Sequence, residues 1–299
     1  MIIPPYLKPG DTIGIVATAR KISMEEIQFA IQWIEKCGYK TFLAPHLFAE
    51  ENQFAGNDTL RCHSMQTLIN DPKIRAILCA RGGYGSARII DQIDFTPLQK
   101  YPKWLCGYSD FTVFHSHLAS QQISASIHTT MPISMNEKTI ESCQSLTDTL
   151  SGKKMQLQGP PCTFNKPGCA QGPIIGGNLS ILYSLLASPS DLNTDNAILF
   201  IEDLDEYLYH IDRMIVAYKR AGKFKNLAGL IIGGMSDMHD NTIPFGHTAQ
   251  EIIAEHCSEY NFPIAFNLPI GHTHKNLSLK FGISSSLEVT PNGWSLQEL

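Results

Sequence analysis

Short apolar runs recur along the first half of the chain, separated by segments with helical spacing. Residues 12–18 (TIGIVAT), 40–45, 74–80 (IRAILCA) and 104–108 (WLCGY) read as strands. Ser23-Met24-Glu25-Glu26 is a capping box for a helix that runs to Cys37 and stops at Gly38. Residues 57–70, 86–93 and 110–120 read as further helices. Strands that are near-continuously apolar and alternate with helices predict an α/β fold, with a parallel sheet covered on both faces.

Residues 151–172 (SGKKMQLQGPPCTFNKPGCAQG) lose this periodicity and read as a linker. It is expected to join a domain over 1–150 to another over 173–299. In the second half, helices are expected at 178–187, 207–221 and 248–260, and strands at 197–203, 227–234 and 263–268. Residues 279–290 are β-rich.

Composition agrees with a folded two-domain protein. Of 299 residues, 43% are hydrophobic and 17% charged, too much apolar material for a disordered chain. The net charge of −5 gives no built-in attraction to nucleic acid or anionic lipid. Eight cysteines without a C-x-x-C pair argue against both a disulfide scaffold and a cysteine zinc site. No apolar run reaches the roughly 18 to 20 residues that span a bilayer, and no signal segment is recognisable at the start. A cytoplasmic protein is expected.

Four segments carry candidate chemistry. Gly107-Tyr108-Ser109-Asp110 follows an apolar strand and precedes a helix, where a serine hydroxyl is exposed beside helix amides. The same serine is also an ordinary helix N-cap. Arg81-Gly82-Gly83-Tyr84-Gly85 follows the strand at 74–80, and its glycines let backbone amides approach a ligand. Arg88 stands where a dinucleotide fingerprint needs its third glycine, so the loop is either an oxyanion hole or a plain turn. Glu202 sits at the end of the 197–203 strand, where α/β sheets place functional groups. His272 lies in the loop Pro269-Ile270-Gly271-His272-Thr273-His274 and is a candidate general base. With His274 it also has H-x-H spacing, which leaves open a zinc site completed by Glu202 or Asp203.

The types complement one another: a nucleophile, a base, an acid that orients the base, and amide donors. Ser109, Glu202 and His272 are far apart in sequence and fall on both sides of the linker. The active site is therefore expected between the domains, with His272 in reach of both Ser109 and Glu202. A metal-dependent hydrolase and a non-catalytic binding protein remain the competing classes.

RGGYG at 81–85, GYSD at 107–110, GGNLS at 176–180, LFIED at 199–203, IDRM at 211–214 and PIGHTHKN at 269–276 occur in a characteristic order. Together they make the chain resemble the LD-carboxypeptidase family of serine peptidases, which includes microcin-immunity peptidases. The resemblance covers essentially the whole chain. It implies a parallel-sheet amino-terminal domain, a smaller β-rich α/β carboxyl-terminal domain, a homodimer, and no metal or organic cofactor. It also implies Ser109 as nucleophile, His272 as base and Glu202 as the acid, with the N–H groups of Asp110 and Gly83 as oxyanion hole. Family members cleave between an L-centre and a D-amino acid. The implied substrate is the murein tetrapeptide of cell-wall recycling, which loses its terminal D-alanine; a peptidyl-nucleotide antibiotic is the alternative. Such a substrate ends in a carboxylate, for which Arg81 is a candidate clamp and, equally, a candidate for a structural ion pair. One departure stands out: the first strand of many members ends in Ser-Pro, and here it ends Thr18-Ala19-Arg20.

Overall fold

A computed structural model describes residues 1–299. The first half contains β1 (Thr12–Val16), α1 (Met24–Lys36), β2 (Lys40–Leu43), α2 (Asp58–Asn70), β3 (Ile74–Cys79) and α3 (Pro97–Lys100). β4 (Trp104–Gly107), α4 (Thr112–Ser120), β5 (Ser126–His128) and α5 (Ile140–Leu150) complete it. Next come β6 (Gln156–Gly159), β7 (Gly168–Asn178), α6 (Leu179–Ser184), β8 (Ile198–Leu204), α7 (Leu208–Arg220), β9 (Gly229–Ser236) and α8 (Ala249–His256). The chain ends with β10 (Ile264–Ala265), β11 (Leu279–Phe281), β12 (Ser284–Thr290) and β13 (Gly293–Glu298).

The first sheet has the order β11-β5-β4-β3-β1-β2, and all its pairings are parallel except β11 on β5. Alternate residues of β1 feed opposite cores. Ile13 and Ile15 pack with Ile27 and Ile34 of α1, whereas Val16 packs with Met65 and Leu68 of α2. The helices on either side of β2 thus cover opposite faces, and the strand order reverses at β1. In open α/β sheets such a reversal opens a crevice at the carboxyl ends of the strands. The capping box at Ser23 forms as expected, with Glu26 reaching back to the Ser23 N–H at 2.8 Å.

The second sheet runs β10-β9-β8-β7-β12-β13-β6. Its first four strands are parallel and the rest antiparallel. Residues 151–172, expected as a linker, supply β6 and the start of β7. β7 changes partner along its length, from β12 at Gly168–Pro173 to β8 at Ile174–Asn178. A second difference matters more for the site. Residues 279–290 were expected to stay with the carboxyl-terminal half, but β11 crosses over and pairs with β5 of the first sheet. The expected helix at 86–93 is two 3₁₀ turns, because Ser86 is tied down. Its N–H donates to Asp110 and its hydroxyl meets that of Thr18. No helix is long and apolar enough to cross a membrane.

Candidate active site

Ser109 follows β4 at the carboxyl edge of the first sheet. Its φ of +62° is the left-handed region, unusual for a residue with a side chain. The turn is braced from beneath. His115 is buried on α4, and burial pushes its pKa down to about 4, so the ring is neutral. Its Nε2–H donates to the Gly107 carbonyl at 2.9 Å, which leaves Nδ1 to accept from Ser126 at 2.8 Å. Asp110 is also buried. It accepts the Ser86 N–H at 2.9 Å and so binds the serine turn to the glycine loop.

The glycine loop passes close to the serine: a Cβ on Gly82 would sit 3.0 Å from Ser109 Cβ. Its shape is held by Arg61, an almost fully buried arginine on α2. Arg61 Nη1 donates to the carbonyls of Thr18 (2.6 Å) and Gly85 (2.9 Å), and its Nη2 pairs with Asp58. Gly83, with φ +114°, lies under the stem of Arg20, where any Cβ would collide with Cγ and Cδ. Arg81 itself turns to the Lys21 carbonyl (3.0 Å) and Glu26 (3.5 Å).

Glu202 enters from β8 of the second sheet and is fully buried. Its Oε2 accepts twice from His272, from Nδ1–H at 2.6 Å and from the backbone N–H at 3.0 Å. Gly271 permits this closeness: at φ +102°, a Cβ there would stand 2.6 Å from Oε2. Burial works against protonation of His272, but the Glu202 carboxylate outweighs it and raises the pKa above the usual value. Behind Glu202, Asp203 accepts from Asn178 and from the N–H groups of Ser180 and Leu204. Lys138 donates to the Thr273 carbonyl at 2.5 Å and pins the histidine loop to the first half of the chain.

The structure brings the His272 ring onto Tyr108, the neighbour of Ser109, with ring centroids 4.8 Å apart. His272 Nε2 and the Ser109 hydroxyl take part in no hydrogen bond. Of the two contacts expected for His272, the one to Glu202 is present and the one to Ser109 is not made here. Contacts of this kind are often long before substrate binds. His274 is exposed and no three His, Cys, Asp or Glu side chains converge, so the residues of a zinc site do not assemble. Sequence reasoning missed Arg61, Tyr108 and Lys138, and offered Asp203 as a zinc ligand, not as a support behind Glu202. Arg61 carries the only advance signal, an arginine on a helix that must bury one face, and that signal reads as a solvated charge.

Fold and site together define a class: a two-sheet α/β protein with a buried acid–imidazole pair beside a serine on a strand-to-helix turn. The chain belongs to the LD-carboxypeptidase family, a family of hydrolases. Residues 13–129 match the LD-carboxypeptidase N-terminal domain and residues 171–287 the LD-carboxypeptidase C-terminal domain. A Bacillus subtilis (strain 168) protein named "probable murein peptide carboxypeptidase" is 30% identical over 96% of this chain and 91% of its own. The murein tetrapeptide carboxypeptidase of Pseudomonas aeruginosa is 24% identical over 94% of both chains. The crystal structure of muramoyltetrapeptide carboxypeptidase from Oxalobacter formigenes superposes with a TM-score of 0.88. It has 24% identity and covers 96% of this chain and 98% of its own.

Proposed function

We propose that this protein is a serine LD-carboxypeptidase that releases the terminal D-alanine of murein tetrapeptide. The observation that carries the reading is the His272–Glu202 contact. With Nδ1–H held at 2.6 Å by a buried carboxylate, Nε2 is the ring nitrogen left to accept a proton, and the ring lies against the Tyr108–Ser109 turn.

In this reading Ser109 attacks the carbonyl carbon of the L-centre, and His272 Nε2 takes the hydroxyl proton. The tetrahedral oxyanion is received by the N–H groups of Asp110 and Gly83. Collapse expels the D-amino acid, whose nitrogen takes the proton from His272. Water, deprotonated by the same imidazole, then hydrolyses the acyl-enzyme. Glu202 holds the tautomer and stabilises the imidazolium. Losing one oxyanion donor in such a site costs about 2.7–4 kcal/mol, which explains why the two amide-bearing loops are cross-braced by Asp110.

The names of the two sequence relatives above favour the murein peptide, and a microcin C7 self immunity protein that shares the fold (TM-score 0.88, 18% identity) keeps the peptidyl-nucleotide antibiotic as the alternative. The reading also includes the homodimer and the cytoplasmic location that the family resemblance implies. D-alanine release from a murein tetrapeptide, followed by mass spectrometry, tests the activity, with Ser109→Ala as the deciding variant. Full turnover by that variant removes the serine mechanism, and turnover of a peptidyl nucleotide alone transfers the protein to the other substrate.

A further inference from the structure

A carboxypeptidase must recognise a free carboxylate close to the scissile bond. In a substrate ending in one D-amino acid, the C–N, N–Cα and Cα–C bonds alone separate the scissile carbonyl carbon from the terminal carboxylate carbon. The group that binds this carboxylate therefore has to sit beside the oxyanion hole. Four arginines surround the glycine loop that the proposed function makes part of that hole. Arg61 is engaged with Thr18, Gly85 and Asp58, and Arg88 Nη2 with Asp58 at 2.8 Å. Arg81 is engaged with the Lys21 carbonyl and Glu26. Arg20 takes part in no ion pair and donates no side-chain hydrogen bond, although it is exposed and its stem crosses Gly83.

Resting on the serine carboxypeptidase reading, we infer that Arg20 binds the substrate's terminal carboxylate and sets the requirement for a free carboxyl end. Its backbone is built to hold that place. Arg20 follows β1 at the point where the strand order reverses, and it bridges to Phe54. The flanking pairs Ala55 N–H to the Ala19 carbonyl (3.0 Å) and Lys21 N–H to the Gln53 carbonyl (3.0 Å) fix the segment on both sides. The Arg20 N–H itself reaches the Gly82 carbonyl at 3.4 Å. The guanidinium fork suits a carboxylate bidentately, and no protein acceptor competes for it. The absence of Cβ on Gly83 has a second use here: it lets an arginine stem lie directly over the oxyanion amide.

The test compares the tetrapeptide with its C-terminal carboxamide as substrates for wild type, Arg20→Ala and Arg20→Lys. Wild type should prefer the acid. Arg20→Ala should raise KM for the acid by roughly 10- to 100-fold with little change in kcat, and should lose the preference for acid over amide. Arg20→Lys should recover part of the preference, because it restores the charge without the fork. Arg20 is exposed, so circular dichroism should show all three proteins folded alike. Turnover by Arg20→Ala with the preference intact overturns the inference while leaving the serine mechanism standing. So does a result in which Arg81→Ala, rather than Arg20→Ala, abolishes the preference. Failure of wild type to cleave either peptide overturns the functional reading, and this inference with it.

Discussion

Replacing Glu202 by glutamine removes one charge from an otherwise unchanged pocket and alters the acceptor of both bonds from His272. The side chains are nearly isosteric, and the residue is fully buried on β8. What changes is the acceptor of the 2.6 Å bond from His272 Nδ1. A hydrogen bond to a charged partner contributes about 1.5–3 kcal/mol, which in a transition state with an imidazolium is roughly 10- to 150-fold in rate. Loss of the correct tautomer adds to this, and carboxylate-to-amide changes in such triads reach on the order of 10⁴. We expect kcat/KM on a D-alanine-terminated peptide to fall between these limits. The pH profile supplies the stricter test. Glu202 raises the pKa of His272, and the base acts when neutral, so kcat/KM climbs with pH through that value. Without the carboxylate, the acidic limb should move to lower pH even as the plateau drops. Stability should follow the same linkage. A histidine with a raised folded pKa contributes stability below about pH 6.5, its ordinary value, and loses it as pH rises through the folded value. The melting temperature of the variant should therefore fall most below pH 6.5 and approach that of wild type at pH 9. An acidic limb that stays in place would refute the assignment of His272 and Glu202 as base and acid.

Lys138→Met should do the opposite to the profile. The lysine charge holds the His272 pKa down, so its loss should move the acidic limb to higher pH, as read from kcat/KM against pH. Ser109→Gly and Ser109→Ala should both be inactive, but the glycine variant should be the more stable. Its relief of the φ +62° strain is worth about 1 kcal/mol, or roughly 2–4 °C by calorimetry. Gly271→Ala should cut turnover at least 10-fold, on the order of 1.4 kcal/mol, with the fold retained by circular dichroism. Its Cβ would displace Glu202 from His272.

The elements that periodicity predicts well are those whose residues make the same choice locally and globally. α1 begins at its capping box and ends before Cys37, and β1, β3 and β4 are apolar apart from Thr12 and Arg75 because both sheet faces are covered. β7 was illegible for the opposite reason. It is rich in glycine and proline, which read as loop, but tertiary crowding requires that composition: a Cβ on Gly177 would strike Thr112 of α4. β5 was missed because three residues carry no periodicity; the β character of β11 was legible within 279–290, but its pairing was not, because its partner is some 150 positions away in sequence. Ser109, Glu202 and His272 were visible as complementary chemical types at strand ends. The supports beneath them were not, because Arg61 and Lys138 act through carbonyl groups that only the fold brings near.

The return of β11 to the first sheet restricts how such a protein can be taken apart. A fragment stopped after α5 would keep Ser109 yet leave Ser126–His128 as a bare sheet margin, open to pairing with other molecules. The complementary fragment would carry β11 as a strand without its partner, between β10 and β12. Splitting the gene at 151–172, or grafting either piece onto a foreign partner, should thus yield aggregates instead of independent modules. Substitutions near the histidine loop should likewise be felt as changes in the cooperativity of unfolding of the whole chain.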